Sequence, residues 1–437
     1  MSWYFNGSYE YNNRYLVSGS IREDLTNFFG TDPKYRHKPL WSVGATWKIA
    51  NEDFFDAPWV NRLNLRASYG VNGNISLSEG PYLILSAGSF NPTTGGVSNG
   101  IASFPNNTLR WEKTKTTNVG VDFDVFDNRL GVSLDYYYKK STDILAPDST
   151  DPTTGTNRMT KNLGAIDNRG IEISLHGTPV RTRDFSWDMI FNMSLNKNKV
   201  REYNVNRQYP TSWAYNTPIH AAGYPMFGLF GFRYAGLDNQ GQCQIYAPDG
   251  TVKLATNCDL DDVIYLGTSV PKTEMSFTNN LSYKNWDLSF MLVAKLGHKY
   301  RKDVFQGSNI NSRYVGQRWQ KPGDEAHTIY PTLKSWNMDL FYFPYTDICI
   351  GDASYAKLRD LTLSYTFDRA LLSRIGMSEA RIYLQGRNLF CITGKGVDID
   401  PETMEMDYTG GTGAPTNLGY SVLPRSAEYY VGLSFSF

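Results

Sequence analysis

The rhythm of its connections constrains this chain more than any motif. Stretches of alternating apolar and polar residues come in pairs joined by very short turns, and long loops rich in Gly, Asn, Asp and Thr separate the pairs. Side chains along a β-strand point alternately to opposite faces, so each stretch reads as a strand with one apolar face. Residues 117–140 show it best. Val119, Val121, Phe123 and Val125 alternate with Asn118, Gly120, Asp122 and Asp124; after Asp127-Asn128-Arg129, Leu130, Val132, Leu134, Tyr136 and Tyr138 alternate with Gly131, Ser133 and Asp135. Alternation alone fits a soluble sandwich with one wet face equally well. Loop length separates the two. Loops beyond about 15 residues are uncommon in compact folds, yet here they recur at alternate connections, as in a transmembrane β-barrel with tight turns on the periplasmic rim and long loops outside.

The same reading places strands at 2–11, 14–23, 41–49, 61–71, 171–175, 185–195, 275–283, 286–296, 361–367, 381–390 and 429–437 beside the two above. The long loops fall near 73–116, 141–166, 199–271, 297–353 and 392–426. The expected fold is therefore all-β, a transmembrane antiparallel barrel represented by about 13 strands. If the last strand descends to the periplasm, the first descends too, whereas a single-chain barrel begins with an ascending strand and has an even strand number. The expectation is that an odd number of strands precedes residue 1, and that 1–437 is the carboxyl-terminal part of one larger barrel.

Composition agrees. Lysine plus arginine (43) balances aspartate plus glutamate (43), which argues against nucleic-acid binding. Aromatics make up 14% of residues, with 30 Tyr and 23 Phe, as aromatic girdles require. No stretch approaches the ~18 apolar residues of a membrane helix. The start, Met1-Ser-Trp-Tyr-Phe-Asn-Gly, has neither the basic nor the apolar region of a signal peptide. The final strand places Tyr429, Val431, Leu433, Phe435 and Phe437 on one face, like the recognition signal of outer-membrane assembly machinery. Of four cysteines, Cys243 and Cys258 share one loop and either form a disulfide or remain two thiols; Cys349 and Cys391 have no evident partner.

Several sequence blocks occur in an order that resembles the SusC/RagA family of TonB-dependent outer-membrane transporters of Bacteroidota. They include Arg22-Glu23-Asp24 with Phe29-Gly30, Leu63-Asn64-Leu65-Arg66-Ala67-Ser68-Tyr69-Gly70, Leu109-Arg110-Trp111-Glu112-Lys113-Thr114 and Asn168-Arg169-Gly170-Ile171-Glu172. Later come Leu358-Arg359-Asp360-Leu361, Gly386-Arg387-Asn388-Leu389-Phe390, Asp400-Pro401-Glu402 and Pro424-Arg425-Ser426. The resemblance implies a barrel of about 22 strands with a plug. It also implies a TonB-contacting segment outside this sequence, a SusD-like lipoprotein partner, and import of oligosaccharides or peptides across the outer membrane.

No catalytic constellation is present, and the chain is expected not to be an enzyme. His37, His176, His220, His298 and His327 lie in unrelated segments, without H-E-x-x-H or a paired nucleophile. No cofactor is implied. The acidic run Asp398, Asp400, Glu402, Glu405 and Asp407 lacks EF-hand spacing, and no metal site is assigned. Aromatic rings stack on sugar faces, which makes the loop residues Trp213, Tyr215, Tyr224, Phe227, Phe230, Trp319, Trp336 and Tyr342 candidates for substrate contact. Tyr136, Tyr138 and Trp286 read instead as lipid-facing girdle residues. Two other readings compete with import: a structural or adhesive surface barrel, including a non-functional split fragment, and a secreted β-rich enzyme with a convergent acid pair.

Overall fold

The computed structural model describes residues 1–25, 37–75, 80–149, 151, 153, 158–203, 221–305, 310–333, 338–394, 397, 399–403, 405–406, 419–420 and 424–437. Thirteen long strands make one sheet in which each lies beside the next in the chain. They are β1 Ser2–Tyr11, β2 Tyr15–Asp24, β3 Leu40–Lys48, β4 Val60–Asn74, β5 Glu112–Val125, β6 Leu130–Ser149, β7 Arg158–Arg181, β8 Phe185–Tyr203, β9 Thr273–Tyr283, β10 Trp286–Leu296, β11 Tyr355–Thr366, β12 Glu379–Thr393 and β13 Glu428–Ser436. The 13 strands expected from alternation are all present. By contact the chain divides into two compact units: Met1–Ile173 with Asn196–Asn206 and Ala221–Tyr224, and Ser174–Leu195 with Arg207–His220 and Pro225–Phe437.

In the first unit, short turns carry residues suited to left-handed backbone, Asn12 and Asn13 between β1 and β2 (φ 51° and 53°) and Asp127 and Asn128 between β5 and β6 (φ 56° and 60°). Register then sorts the faces. Trp41 pairs with Val71, Val43 with Tyr69 and Trp47 with Leu65 on the apolar face. That face is open, with Trp41, Val43 and Leu65 all at least 40% exposed. A contiguous apolar surface of this kind suits hydrocarbon surroundings, where a sheet still pairs its own backbone groups.

The opposite face is ionic. Arg66 donates to Asp122 (Nε, 2.9 Å) and Asp135 (Nη2, 2.9 Å), and Ser133 donates to Asp122 (2.7 Å). Gly120 makes this possible, because a Cβ there would overlap the Asp135 carboxylate and crowd the Arg66 guanidinium. β6 and β7 run 20 and 24 residues, about twice the 9–11 of a tilted crossing. Most of the loop expected at 141–166 is therefore strand.

In the second unit, Lys284 (φ 53°) and Asn285 make a two-residue turn between β9 and β10. Trp286 and Tyr365 lie beside it with ring centroids 4.8 Å apart. The connections expected as loops within 199–271 and 297–353 contain a folded body. Gly228–Gly231 pairs with Ile264–Thr268, and Tyr234–Leu237, Cys243–Tyr246 and Val252–Leu254 form a three-stranded sheet. Lys299–Arg301 pairs with Ile350–Asp352. The core of this body joins Phe232, Cys243, Ile245 and Ala255 to Val304, Phe343, Tyr345 and Cys349. Arg301 is fully buried under it, donating to the carbonyl oxygens of Phe230 and Pro344 with its guanidinium 4.6 Å from the Tyr345 ring centre.

Candidate functional site: a charged cavity on the polar face of β11–β13

On β11, β12 and β13 the register separates two faces. Leu363, Leu384 and Val431 lie across from one another on the apolar face, and Asp360, Arg387 and Glu428 on the polar one. The ladder is broken just there. Between the Leu358–Phe390 and Asp360–Arg387 pairs, β11 has one unpaired residue, Arg359, and β12 has two, Asn388 and Leu389. Asn388 takes the left-handed conformation (φ 53°) that such a bulge requires. A bulge re-aims side chains. Here Arg359, Asp360, Arg387, Asn388, Arg425 and Glu428 line one cavity of about 650 Å³.

Its walls are fixed by ion pairs. The Lys357 ammonium, 2% exposed, lies 2.8 Å from Asp400 and 2.9 Å from Glu402, and Arg359 donates twice to Glu402. Burial alone would push the Glu402 carboxyl up, but Arg359 and Lys357 outweigh it and hold it down at about 2. Asp360 accepts from Gln385 (2.6 Å) and Thr362 (3.0 Å) and pairs with Arg387 at 3.5 Å. The Arg387 guanidinium also lies 5.4 Å from the Tyr430 ring centre. With Arg359 engaged by Glu402, the lining leaves two guanidiniums, Arg387 and Arg425, beside two carboxylates, Asp360 and Glu428. The Oδ1 of Asn388 is buried and has no hydrogen-bond partner. Arg387 and Arg425 can pair with a carboxylate, and the Asn388 Oδ1 can accept a hydrogen bond.

Four of the sequence blocks quoted above, at 358–361, 386–390, 400–402 and 424–426, meet in this cluster. Within the acidic run, Asp400 and Glu402 neutralise Lys357 and Arg359. Asp398 and Asp407 lie outside the described residues, as do Trp213, Tyr215 and Trp336.

The remaining aromatic candidates do not gather in one cavity. Phe230 (3% exposed) packs on Tyr265 and Trp319 (4%) donates to Glu325, so neither presents a free face to a sugar; both are corrected to packing residues. Tyr342 packs beside Phe232, and Phe227 is half-buried with its carbonyl accepting from Ser269. Tyr224 is exposed, its carbonyl bonded to Val200. Cys243 and Cys258 both reach this core, with no disulfide between them. Burial beside Asp262 pushes the Cys258 thiol up to about 11. Tyr429, Val431, Leu433, Phe435 and Phe437 are all exposed on one face at β13.

The sequence model of the family described as TonB dependent receptor-like, beta-barrel matches residues 1–389. The chain belongs to that family. It is 27% identical to TonB-dependent receptor P3 of Formosa agariphila over 98% of this chain and 45% of that protein. It is 25% identical to TonB-dependent receptor SusC of Bacteroides thetaiotaomicron over 100% of this chain and 44% of that protein. Its fold superposes with a TM-score of 0.80 on the RagAB peptide importer in its closed-closed state, at 23% identity, over all of this chain and 47% of that one. The chain thus spans a little under half the length of these relatives. The SusC/RagA resemblance holds, the location is the outer membrane, and the family is one of receptors and transporters, not enzymes.

Proposed function

We propose that this chain supplies wall and outer loops to a TonB-dependent outer-membrane importer that takes up oligosaccharides or peptides together with a SusD-like lipoprotein. One observation carries the reading of the site: the sequence blocks at 358–361, 386–390 and 424–426 line one charged cavity on the polar face of the strands, and the block at 400–402 pairs with its Arg359. In a barrel that face borders the lumen. Within the two solute classes, the cavity favours oligomers bearing carboxylates, whether acidic peptides or uronate-containing oligosaccharides, because Arg387 and Arg425 present forked donors matched to that group. The SusD-like partner and TonB coupling rest on family membership, and the aromatic loop candidates Tyr224 and Tyr342 remain contacts for the outer part of the path.

The test is uptake by cells carrying the whole protein with Arg387→Ala and Arg425→Ala. Transport of a carboxylate-bearing oligomer falls about tenfold or more for the pair, while that of a neutral oligomer of equal length changes little. Equal loss for both solutes would remove the cavity from recognition. Unchanged uptake of every solute, with surface adhesion lost, would favour the structural barrel.

A further inference from the structure

Along the apolar face of β5–β8 the chemistry changes abruptly. On β5 the sequence Val125, Phe123, Val121, Val119 gives way to Thr117 and Lys115, and on β6 Leu134, Tyr136 and Tyr138 give way to Lys140. The register places Tyr136 opposite Val119, Tyr138 opposite Thr117 and Lys140 directly opposite Lys115. On β7, Ile173 and Ile171 are followed on the same face by Arg169, and on β8 Lys197, Lys199 and Arg201 continue the parity of Phe191, Met193 and Leu195. Asn198 donates to Asn168 (2.6 Å), which puts those two on the opposite face and confirms the sorting. Followed from the tight-turn end to the long-loop end, each of these strands changes in the same order, so the cations form a belt above the apolar band and its tyrosines.

The belt is short of anions. Tyr136, Tyr138, Asp167, Arg169, Lys197, Lys199, Arg201 and Glu202 are among the residues around a cavity of about 900 Å³. Asp167 pairs with Arg201 at 3.3 Å. Among the described residues Lys115, Lys140, Arg169, Lys197 and Lys199 have no carboxylate within ion-pair distance. Like charges directly opposite in a sheet repel, as at Lys115 and Lys140. A belt of this sign is stable where an outside anion lies against it.

We propose that this belt binds the phosphate groups of the glycolipid in the outer leaflet, with Lys115, Lys140, Arg169, Lys197 and Lys199 facing the phosphates and Tyr136 and Tyr138 at the acyl boundary. The position selects the partner: the belt shares a face with the lipid-exposed band, not with the lumen, so a transported solute does not reach it. Basic side chains at a membrane surface draw anionic headgroups additively.

The experiment uses the whole protein in detergent and titrates it with fluorescent lipid A, with dephosphorylated lipid A and with inorganic phosphate. Lipid A binds the native protein at least about tenfold more tightly than its dephosphorylated form, and Lys197→Gln/Lys199→Gln and Lys115→Gln/Lys140→Gln each weaken it about tenfold or more. Lys139→Gln, whose ammonium sits over the Tyr137 ring on the other face at 4.8 Å, leaves binding unchanged. Raising salt from about 50 to about 500 mM releases lipid A from the native protein, a readout that needs no variant. Equal binding of the dephosphorylated lipid, unchanged binding by both double variants, retention at high salt, or displacement by millimolar inorganic phosphate would each overturn the proposal, the last by assigning the belt to soluble anions.

Discussion

Lys357 offers the most direct test of how the charged cavity is held. Its ammonium is 2% exposed and bridges Asp400 (7% exposed) and Glu402 (21%), which belong to the connection after β12. Replacing it with methionine keeps the stem and removes the charge. Asp400 is then a nearly buried carboxylate without its ion-pair partner, whereas Glu402 keeps Arg359. Removing one member of a buried pair costs about 3–5 kcal/mol; the retained Arg359 pair places this case near the lower end, about 3 kcal/mol. That corresponds to roughly a hundredfold rise in the population with this connection detached from β11. The assay is hydrogen exchange at the amides of Glu402 and Thr403, which donate to the Asp400 side chain and carbonyl at 3.1 Å. Lys357→Met loses about two decades of protection there, and Asp400→Asn added to it restores part. Protection within threefold of the native value would refute the argument, because the connection would then be held by something other than these charges.

The same anchor has a pH signature. Glu402 has a folded pKa of about 2 against an ordinary value of 4.5. A carboxyl whose folded value is depressed contributes its full stabilisation above the unfolded value and loses it as pH falls through the folded one. After correction for intrinsic rates, protection at Glu402 and Thr403 holds from pH 7 to 5 and declines as the pH is lowered from about 4.5 toward 2.

Three further outcomes follow from the packing. Gly120→Ala pushes Asp135 off Arg66 and costs about 1–3 kcal/mol of barrel stability in urea titration; Gly120→Ala with Asp135→Ala is less destabilised than the sum of its parts. Arg301→Met strips two buried carbonyls of their donor and speeds proteolysis within residues 225–353 at about 2–4 kcal/mol of local stability, with the thermal transition of the long strands unmoved. Burial also pushes the Cys349 thiol up to about 11, so at pH 8 neither it nor Cys258 reacts with iodoacetamide, while the denatured protein shows four free thiols; two thiols fewer would mean that Cys243 and Cys258 are joined.

The long strands were legible because lipid on one side and polar surroundings on the other write period two into the chain, as at Val119–Val125 and Leu130–Tyr138. Strand ends were less so. β6 continues through Thr142–Ser149 although its alternation decays, since hydrogen bonding to neighbours, not side-chain polarity, carries it there. The folded body within 225–353 was hidden for a different reason. Its core joins Phe232 to Phe343 and Cys243 to Cys349, contacts set by separations of about a hundred residues that no local period records. One local signal was available: Asp249-Gly250 between alternating Cys243, Ile245 and Val252, Leu254 is a hairpin turn. Aromatic type misled at Phe230 and Trp319, because a loop that folds needs rings for its own interior.

The cavity shows why its parts were readable and its assembly was not. Arg359, Arg387, Asp400, Glu402 and Arg425 each sit in a block that stands out in the sequence, yet Lys357 and Asp400 are 43 positions apart. Strict alternation would also misplace Arg359: continued through β11 it assigns that residue to the apolar face with Leu361 and Leu363. The bulge opposite Asn388 resolves this conflict. Its extra residue on β12 breaks the register, Asn388 accepts a backbone conformation that an apolar residue resists, and Arg359 is freed to meet Glu402. A guanidinium on the lipid side near the middle of a membrane would be strongly disfavoured; near the outer end of β11, paired to a connection that folds back over it, it becomes the fastening of the wall. The departure from period two and the charged site are thus one feature. Deleting Asn388 would leave Arg387 two positions from Phe390 and so force the two onto one face, set the Leu358–Phe390 pairing against the Asp360–Arg387 pair, and be seen as loss of the cavity's solute selectivity before loss of the barrel.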